Sequence, residues 1–175
     1  MAVTLDEILA ARRPLILRRW LDAILTLYPG ETARFLKDEP DPFSNPVGQM
    51  MREAIADLYD RLQTARPPVT DACPPLERLM RLLAVQNTAA SRAVGVLLAL
   101  KGLVRAELTP QCDGPSLYQA LVEVDERVDA ITLLAFDLYV ASREQLADLK
   151  VQESRRRTQK LLERLQGAGD ERKDG

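Results

Sequence analysis

Apolar residues return every three or four positions through most of the 175-residue chain. The clearest run has apolar side chains at Val47, Met50, Met51, Ala54, Ile55, Leu58, Tyr59 and Leu62. This spacing places them on one face of an α-helix. Asn45 and Pro46 stand directly before the run, and an Asn N-cap followed by Pro is a strong helix start. The pattern therefore predicts a helix that begins at Pro46.

The same spacing predicts further helices at about residues 31–36, 75–86 and 89–108, and a first helix from Thr4 to the Pro29-Gly30 pair. Thr4 and Glu7 have the spacing of a capping box. Pro14 lies inside the apolar stripe of this first helix, so we expect a kink or a break between residues 11 and 14. The first half of 89–108 is apolar on almost every side, which is typical of a central, buried helix.

The last predicted helix is the longest. Residues 116–166 contain neither Pro nor Gly, and a continuous helix there would span roughly 75 Å. It is richly apolar up to Tyr139 and polar beyond Val151, with Gly167–Gly175 as a frayed tail. We therefore expect an all-α, bundle-like domain of five to six helices at residues 1–150, followed by a polar helical extension and tail at 151–175.

Composition and charge narrow the function classes. The chain has no histidine, a net charge of −2, and two cysteines, Cys73 and Cys112, without metal-ligand or disulfide-framework spacing. It shows no phosphate loop or nucleophile motif. The most membrane-like stretch, 93–100, is far shorter than the roughly 20 residues a bilayer needs. We expect a cytoplasmic protein that is not an enzyme, does not enter a membrane, and needs no cofactor or metal.

Two surfaces are candidates for binding. The first lies on the distal part of the last helix, where we predict a surface for a partner or a second copy at Leu146, Leu149, Arg155, Arg156, Arg157 and Leu162. Residues 150–175 hold eight Lys or Arg against five Asp or Glu, so phosphate contact by the arginine triplet is an alternative. This small excess weighs against a nucleic-acid-binding role.

The second candidate surface is a ligand pocket near Trp20 and Arg19 on the first helix, which would suit a small apolar or anionic molecule. A core position for Trp20 is the simpler interpretation. Asp125, Glu126 and Asp129 share a region of the last helix and have the chemistry to hold a cation, but an ordinary solvated helix face is the favoured interpretation.

Several segments together resemble a known family. They are Arg18-Arg19-Trp20-Leu21, Asp41-Pro42-Phe43-Ser44-Asn45-Pro46-Val47-Gly48, Leu83-Ala84-Val85-Gln86, Leu134-Ala135-Phe136-Asp137-Leu138-Tyr139 and Ser142-Arg143-Glu144. In order and spacing, from about residue 8 to 165, the chain resembles the N-terminal domain of the RsbRD-type co-antagonists of RsbT, which are stressosome-related regulators.

The resemblance implies a helical sensory domain that forms a homodimer and passes a signal through its C-terminal helix. In relatives the output is a STAS domain; here we expect a stand-alone sensory or adaptor domain. The related RsbR proteins carry a globin-like N-terminal fold without haem, so the resemblance implies a similar fold for this chain. Where the family often has Ser/Thr-Pro, this chain has Ala89-Ala90, which leaves Thr88 as the predicted helix cap.

Overall fold

The computed structural model describes residues 5–64, 73–110 and 115–170, and this part of the chain is helical without strands. The helices are α1 (Leu5–Leu25), α2 (Gly30–Asp38), α3 (Pro46–Thr64), α4 (Pro74–Val85), α5 (Ala90–Leu108) and α6 (Pro115–Asp170). The predicted all-α fold with a long final helix is confirmed. In the described ranges, no helix is long and apolar enough to cross a membrane.

Five of the helices pack in a closed ring. α1 packs on α3, α3 on α4, α4 on α6, α6 on α5, and α5 back on α1, while the short α2 rests on α3 and α1. Large apolar side chains fill the interior of the ring, and among those fully buried are Ile16, Trp20, Leu58, Leu76, Leu79, Met80, Leu83 and Leu97. The core therefore lies along the ring axis.

Helix α1 runs without interruption through Pro14, so of the predicted kink or break the break is absent. Pro14 is exposed, whereas Ile8 and Leu9 before it and Ile16 and Trp20 after it are buried in the core. Packing on both sides of the proline therefore holds the helix together despite the lost backbone donor. The predicted capping box is not testable here because Thr4 lies outside the described residues.

The turn between α2 and α3 is organised by the buried side chain of Asn45. Its Nδ2 donates to the backbone oxygens of Phe35, Leu36 and Glu39 at 3.3, 3.0 and 3.1 Å. Its Oδ1 accepts a 2.8 Å hydrogen bond from the backbone N–H of Gly48, which confirms the predicted N-cap. One amide therefore closes the end of α2 and the start of α3 together.

Gly48 is required at this turn by close packing. A Cβ there would lie 2.4 Å from Asn45 Nδ2 and 2.5 Å from the backbone oxygen of Leu36. The backbone of α3 can approach Asn45 only because the side chain is absent. The Asn45-Pro46-Val47-Gly48 segment is thus needed for the close packing of the start of α3 on the end of α2.

The connection between α4 and α5 differs from prediction. The N-cap position of α5 is Ala89, which makes no side-chain capping hydrogen bond, so the expected cap at Thr88 is wrong. Instead, the backbone N–H of Thr88 turns back to the carbonyl of Leu83 at 3.3 Å. Asn87 takes the left-handed conformation, with φ of 58°. Asn tolerates this region better than most residues.

Helix α6 is continuous past residue 151 and reaches Asp170, beyond the predicted end at 166. Its 56 residues correspond to roughly 84 Å. Val124, Val128, Ile131, Ala135 and Tyr139 form its buried seam. Residues 167–170, expected to be frayed, are helical, while residues 171–175 lie outside the described ranges.

Helix α5 is only partly enclosed, although its sequence predicts a central helix. One side carries Ala93, Leu97, Leu100 and Val104 into the core. The opposite side is more open, since Leu98 is 46% exposed and a Cβ at Gly95 or Gly102 would meet nothing within 4 Å. The apolar character of α5 therefore exceeds what burial within one chain requires.

We expect Asn45→Ala to lower the free energy of unfolding by about 1–2 kcal/mol, because it removes the cap of α3 and the hydrogen bonds from Nδ2 to the end of α2. The carbonyls of Leu36 and Phe35 keep the donors Arg52 and the Glu39 backbone N–H. Asn45→Asp keeps the oxygen that accepts from the Gly48 N–H but loses the Nδ2 donors. It should therefore still lower the free energy of unfolding by more than about 1 kcal/mol. Urea unfolding of both variants, with the exposed neighbour change Ser44→Ala as control, measures this. Wild-type stability of Asn45→Asp would contradict the bridging role.

An ion pair between α1 and α3 should make the free energy of unfolding depend on pH in the acidic range. Arg13 donates to both carboxylate oxygens of Asp60, at 2.7 and 2.8 Å. This hydrogen bonding holds the pKa of Asp60 below its ordinary value. The pair therefore stabilises the fold above the unfolded-state pKa of about 4, and its contribution disappears as pH falls through the lowered folded value.

Because the side chains of Arg13 and Asp60 are both partly exposed, Asp60→Asn should lower the free energy of unfolding by less than about 1 kcal/mol at pH 7. The difference from wild type should shrink as the pH approaches about 2.5, measured by thermal unfolding at both pH values. Asp57→Asn, which removes a single 3.3 Å contact to Arg78, is the matched control. A difference that grows in acid would contradict the assignment.

Candidate functional site

The point where α6 leaves the ring is held by side chains of α6 itself. The hydroxyl of Tyr139 donates to the backbone oxygen of Thr88, and Arg143 Nη1 donates to the backbone oxygen of Ala84 at 3.2 Å. We call these four residues the exit corner. A cation beside the last carbonyls of α4 is also favoured by the dipole of that helix. The exit corner therefore fixes the position of α6 at the end of its packed part.

The ends of α1 and α5 lie against the same corner. Arg92 Nη2 at the start of α5 lies 3.4 Å from the backbone oxygen of Thr26. Burial raises the pKa of the Tyr28 hydroxyl, and the neighbouring side chain of Gln86 opposes that rise only in part. Residues of four helices and their connections thus lie together where α6 departs.

The exit corner joins segments that are far apart in sequence. Leu83-Ala84-Val85-Gln86 supplies the acceptor for Arg143, and the segment ending in Tyr139 supplies the second donor. Sequence reasoning identified these segments separately and did not predict that they meet. The only available signal was the spacing of four between Tyr139 and Arg143, which places them on one side of α6.

Beyond the exit corner, α6 has no cover from its own chain. Every side chain at residues 147–163, here called the distal segment, is exposed. Leu149 and Leu162 are 60% and 54% exposed. Leu146 differs from them because it is half-buried and packs against the core. The predicted association surface is therefore split, with Leu146 belonging to the ring.

The arginine triplet does not form one patch. Successive residues on an α-helix point in directions about 100° apart, so Arg155, Arg156 and Arg157 face three ways. Arg157 pairs with Glu153 one turn earlier. This geometry gives no support to the alternative of nucleic-acid binding.

Trp20 lies wholly inside the core. Its indole Nε1 donates to the backbone oxygen of Val96 at 2.8 Å. Arg19 Nη1 donates to Oε1 of the largely buried Glu107 at 2.8 Å, and Arg12 Nε lies 3.6 Å from Oε2 of the same carboxylate. Trp20 and Arg19 therefore link α1 to α5, and these contacts do not form the predicted ligand pocket.

A small apolar cavity lies elsewhere in the ring. It measures about 20 Å³ and is lined by Leu9, Tyr59, Leu62, Leu100, Val104, Val124, Arg127 and Val128. That volume is close to one water molecule. The cavity is thus too small for the organic ligand considered from the sequence.

The acidic residues of α6 are used in packing against α5. Asp129 pairs with Lys101 at 2.6 Å, and Asp125 pairs with Arg105 at 2.9 Å. Within the described ranges, no group of three or more acidic, Cys or His side chains is arranged to hold a metal ion. The two ion pairs join α5 to α6, which run antiparallel, and mark their register.

Tyr139→Phe should weaken the exit corner, since it leaves the carbonyl of Thr88 without its donor. We expect a loss of about 1 kcal/mol and a corresponding rise of roughly fivefold in amide hydrogen exchange at residues 139–146. Tyr118→Phe is the matched control because Tyr118 lies exposed on the same helix. Equal exchange in both variants would show that the hydroxyl does not hold α6.

Comparison with known proteins agrees with this helical arrangement. A family model described as RsbT co-antagonist protein rsbRD N-terminal domain matches residues 14–156. No curated protein matches the chain, and no solved structure matches it. The matched range includes the ring except for the start of α1, the exit corner and the first part of the distal segment, and it confirms the resemblance noted from the sequence motifs. The chain belongs to the RsbRD N-terminal domain family.

Proposed function

We propose that the chain is a non-catalytic regulatory domain of cytoplasmic stress signalling that works through protein contacts. It senses a change in the ring of helices and passes it along α6 to a protein partner, and it acts as a homodimer. Membership of the RsbRD N-terminal domain family supports the regulatory role.

The observation that carries the proposal is the division of α6 into two parts. Its first part is buried between α4 and α5, and its distal segment is exposed on all sides. Most helices in proteins are stabilised by tertiary packing of one face, and the distal segment has no such packing within its own chain. A helix that is anchored in a core at one end and exposed at the other has the geometry of an output element.

The exit corner supplies the mechanism. Movement of α4 or of its connection to α5 changes the positions of the carbonyls that accept from Tyr139 and Arg143. Two arrangements of these hydrogen bonds would give two directions of the distal segment. A signal that stabilises one arrangement shifts the population of α6 positions by its differential affinity for the two.

Photocross-linking from the distal segment tests the proposal in cells of the source organism. p-Benzoylphenylalanine replaces Leu149 or Leu162, and Phe43 on the α2–α3 turn is the matched control because it is also an exposed apolar residue. We expect one defined protein adduct from Leu149 and Leu162 and none from Phe43, measured by mass spectrometry.

A helix-breaking substitution in the distal segment tests whether the adducts depend on its helical structure. Arg156→Pro lies between the two labelled positions, so it should abolish the adduct at Leu162 and retain the one at Leu149. Adducts confined to Phe43 would contradict the proposed output element. Nucleic acid cross-linked at Leu149 or Leu162 would contradict the role in protein contacts.

A further inference from the structure

One side of the distal segment carries a row of small and apolar side chains, here called the distal stripe. Its members follow each other at spacings of four, three, four and three residues, with one more leucine beside the last, and they are Ala147, Val151, Ser154, Thr158, Leu161 and Leu162. This spacing is the repeat by which two helices pack along their length. Val151, Leu161 and Leu162 are 49%, 59% and 54% exposed, so the stripe is open to a partner.

Three of the four charged side chains that border the distal stripe are cations. At about 100° per residue, Arg155 lies along one edge of the stripe, and Lys150 and Arg157 lie along the other. The fourth, Asp148, lies on the edge of Arg155 but nearer the ring. The other acidic side chains of the distal segment lie on the side of the helix away from the stripe. The borders of the stripe are therefore cationic over most of its length.

The middle of the distal stripe suits a second helix better than a lipid surface. Ser154 and Thr158 are short, and short side chains let another helix approach closely. The Thr158 hydroxyl donates to the backbone oxygen of Ser154 at 3.0 Å, so it needs no partner outside its own helix. A helix that lies in a membrane interface instead carries a broad face of bulky apolar side chains.

The charged borders disfavour a second copy on this stripe. In a parallel pair of identical helices, the residue that precedes one apolar position faces the residue five places later in the other copy. Lys150 would therefore face Arg155 of the second copy, and the contact would occur twice by symmetry. In an antiparallel pair, the edge with Lys150 and Arg157 would face the same edge of the other copy. Both arrangements set cations against cations, which selects for a partner of opposite charge.

We propose that the distal stripe packs along a helix of a different protein, whose own apolar stripe is bordered by Asp and Glu. In the described ranges Lys150 and Arg155 make no ion pair, and Arg157 pairs with Glu153 one turn earlier. That exposed pair is weak and can exchange for a carboxylate of the partner. The inference deepens the proposed function by naming the class of partner, and it rests on the output role of the distal segment.

Two synthetic helical peptides test the charge pattern on the full chain. Both peptides have Leu at the two apolar positions of a seven-residue repeat. The bordering positions are Glu in the acidic peptide and Lys in the basic peptide, so like charges oppose pairing of either peptide with itself. We expect wild type to bind the acidic peptide about tenfold or more tightly than the basic one, measured by fluorescence anisotropy at low salt.

Charge reversal at the borders should reverse this preference. Lys150→Glu with Arg155→Glu keeps the stripe but makes its borders acidic, so this variant should bind the basic peptide about tenfold more tightly than the acidic one. An unfolded distal segment would bind neither peptide, so the reversal separates the charge pattern from loss of helix. The matched control is Arg156→Glu with Lys160→Glu, which makes the same charge change away from the stripe and should keep the wild-type preference.

Wild type that binds both peptides equally, or neither, overturns the proposal. A border variant without the reversal overturns it, and so does a control that reverses with it, since net charge alone would then explain the binding. Wild type that binds phosphatidylserine–phosphatidylcholine vesicles but neither peptide would identify a membrane surface instead. A protein adduct at Leu162 without a peptide preference would sustain the output role of α6 while overturning the acidic partner.

Discussion

The structure depends on the burial of one seam of α6. Val124, Val128, Ile131, Ala135 and Tyr139 follow each other at spacings of three and four, which keeps them on one side of a helix. α4 and α5 pack far less against each other than each packs against α6. Helix α6 therefore closes the ring by filling the gap between them, and stability of the core and position of the output helix come from the same contacts.

Much of this architecture follows from local rules. Helix periodicity located α3, and the Asn45-Pro46 pair fixed its start, because capping and the φ of proline act over a few residues. The helix is not broken at Pro14 because core packing of Ile8 and Ile16 outweighs the local penalty of the proline. The prediction that Thr88 caps α5 was wrong for a local reason. The backbone N–H of Thr88 donates to the carbonyl of Leu83, so Thr88 belongs to the turn that follows α4.

The functional site was less accessible from sequence because its contacts are long-range. Tyr139 and Thr88, or Arg143 and Ala84, are brought together only by the fold. The core position of Trp20 was the simpler interpretation from the sequence, but the partner of Arg19 could not be foreseen, because Glu107, which Arg12 and Arg19 both reach, is far away in sequence.

The length of α6 turns the ring into the short arm of a lever. Residues 147–170 extend about 36 Å beyond Leu146, so a tilt of roughly 10° at the exit corner would carry the far end through roughly 6 Å. Such a displacement is comparable to the pitch of an α-helix, about 5.4 Å. Its size is set by helix length alone, so in the proposed function adding or removing turns in the distal segment would rescale the displacement without altering the ring.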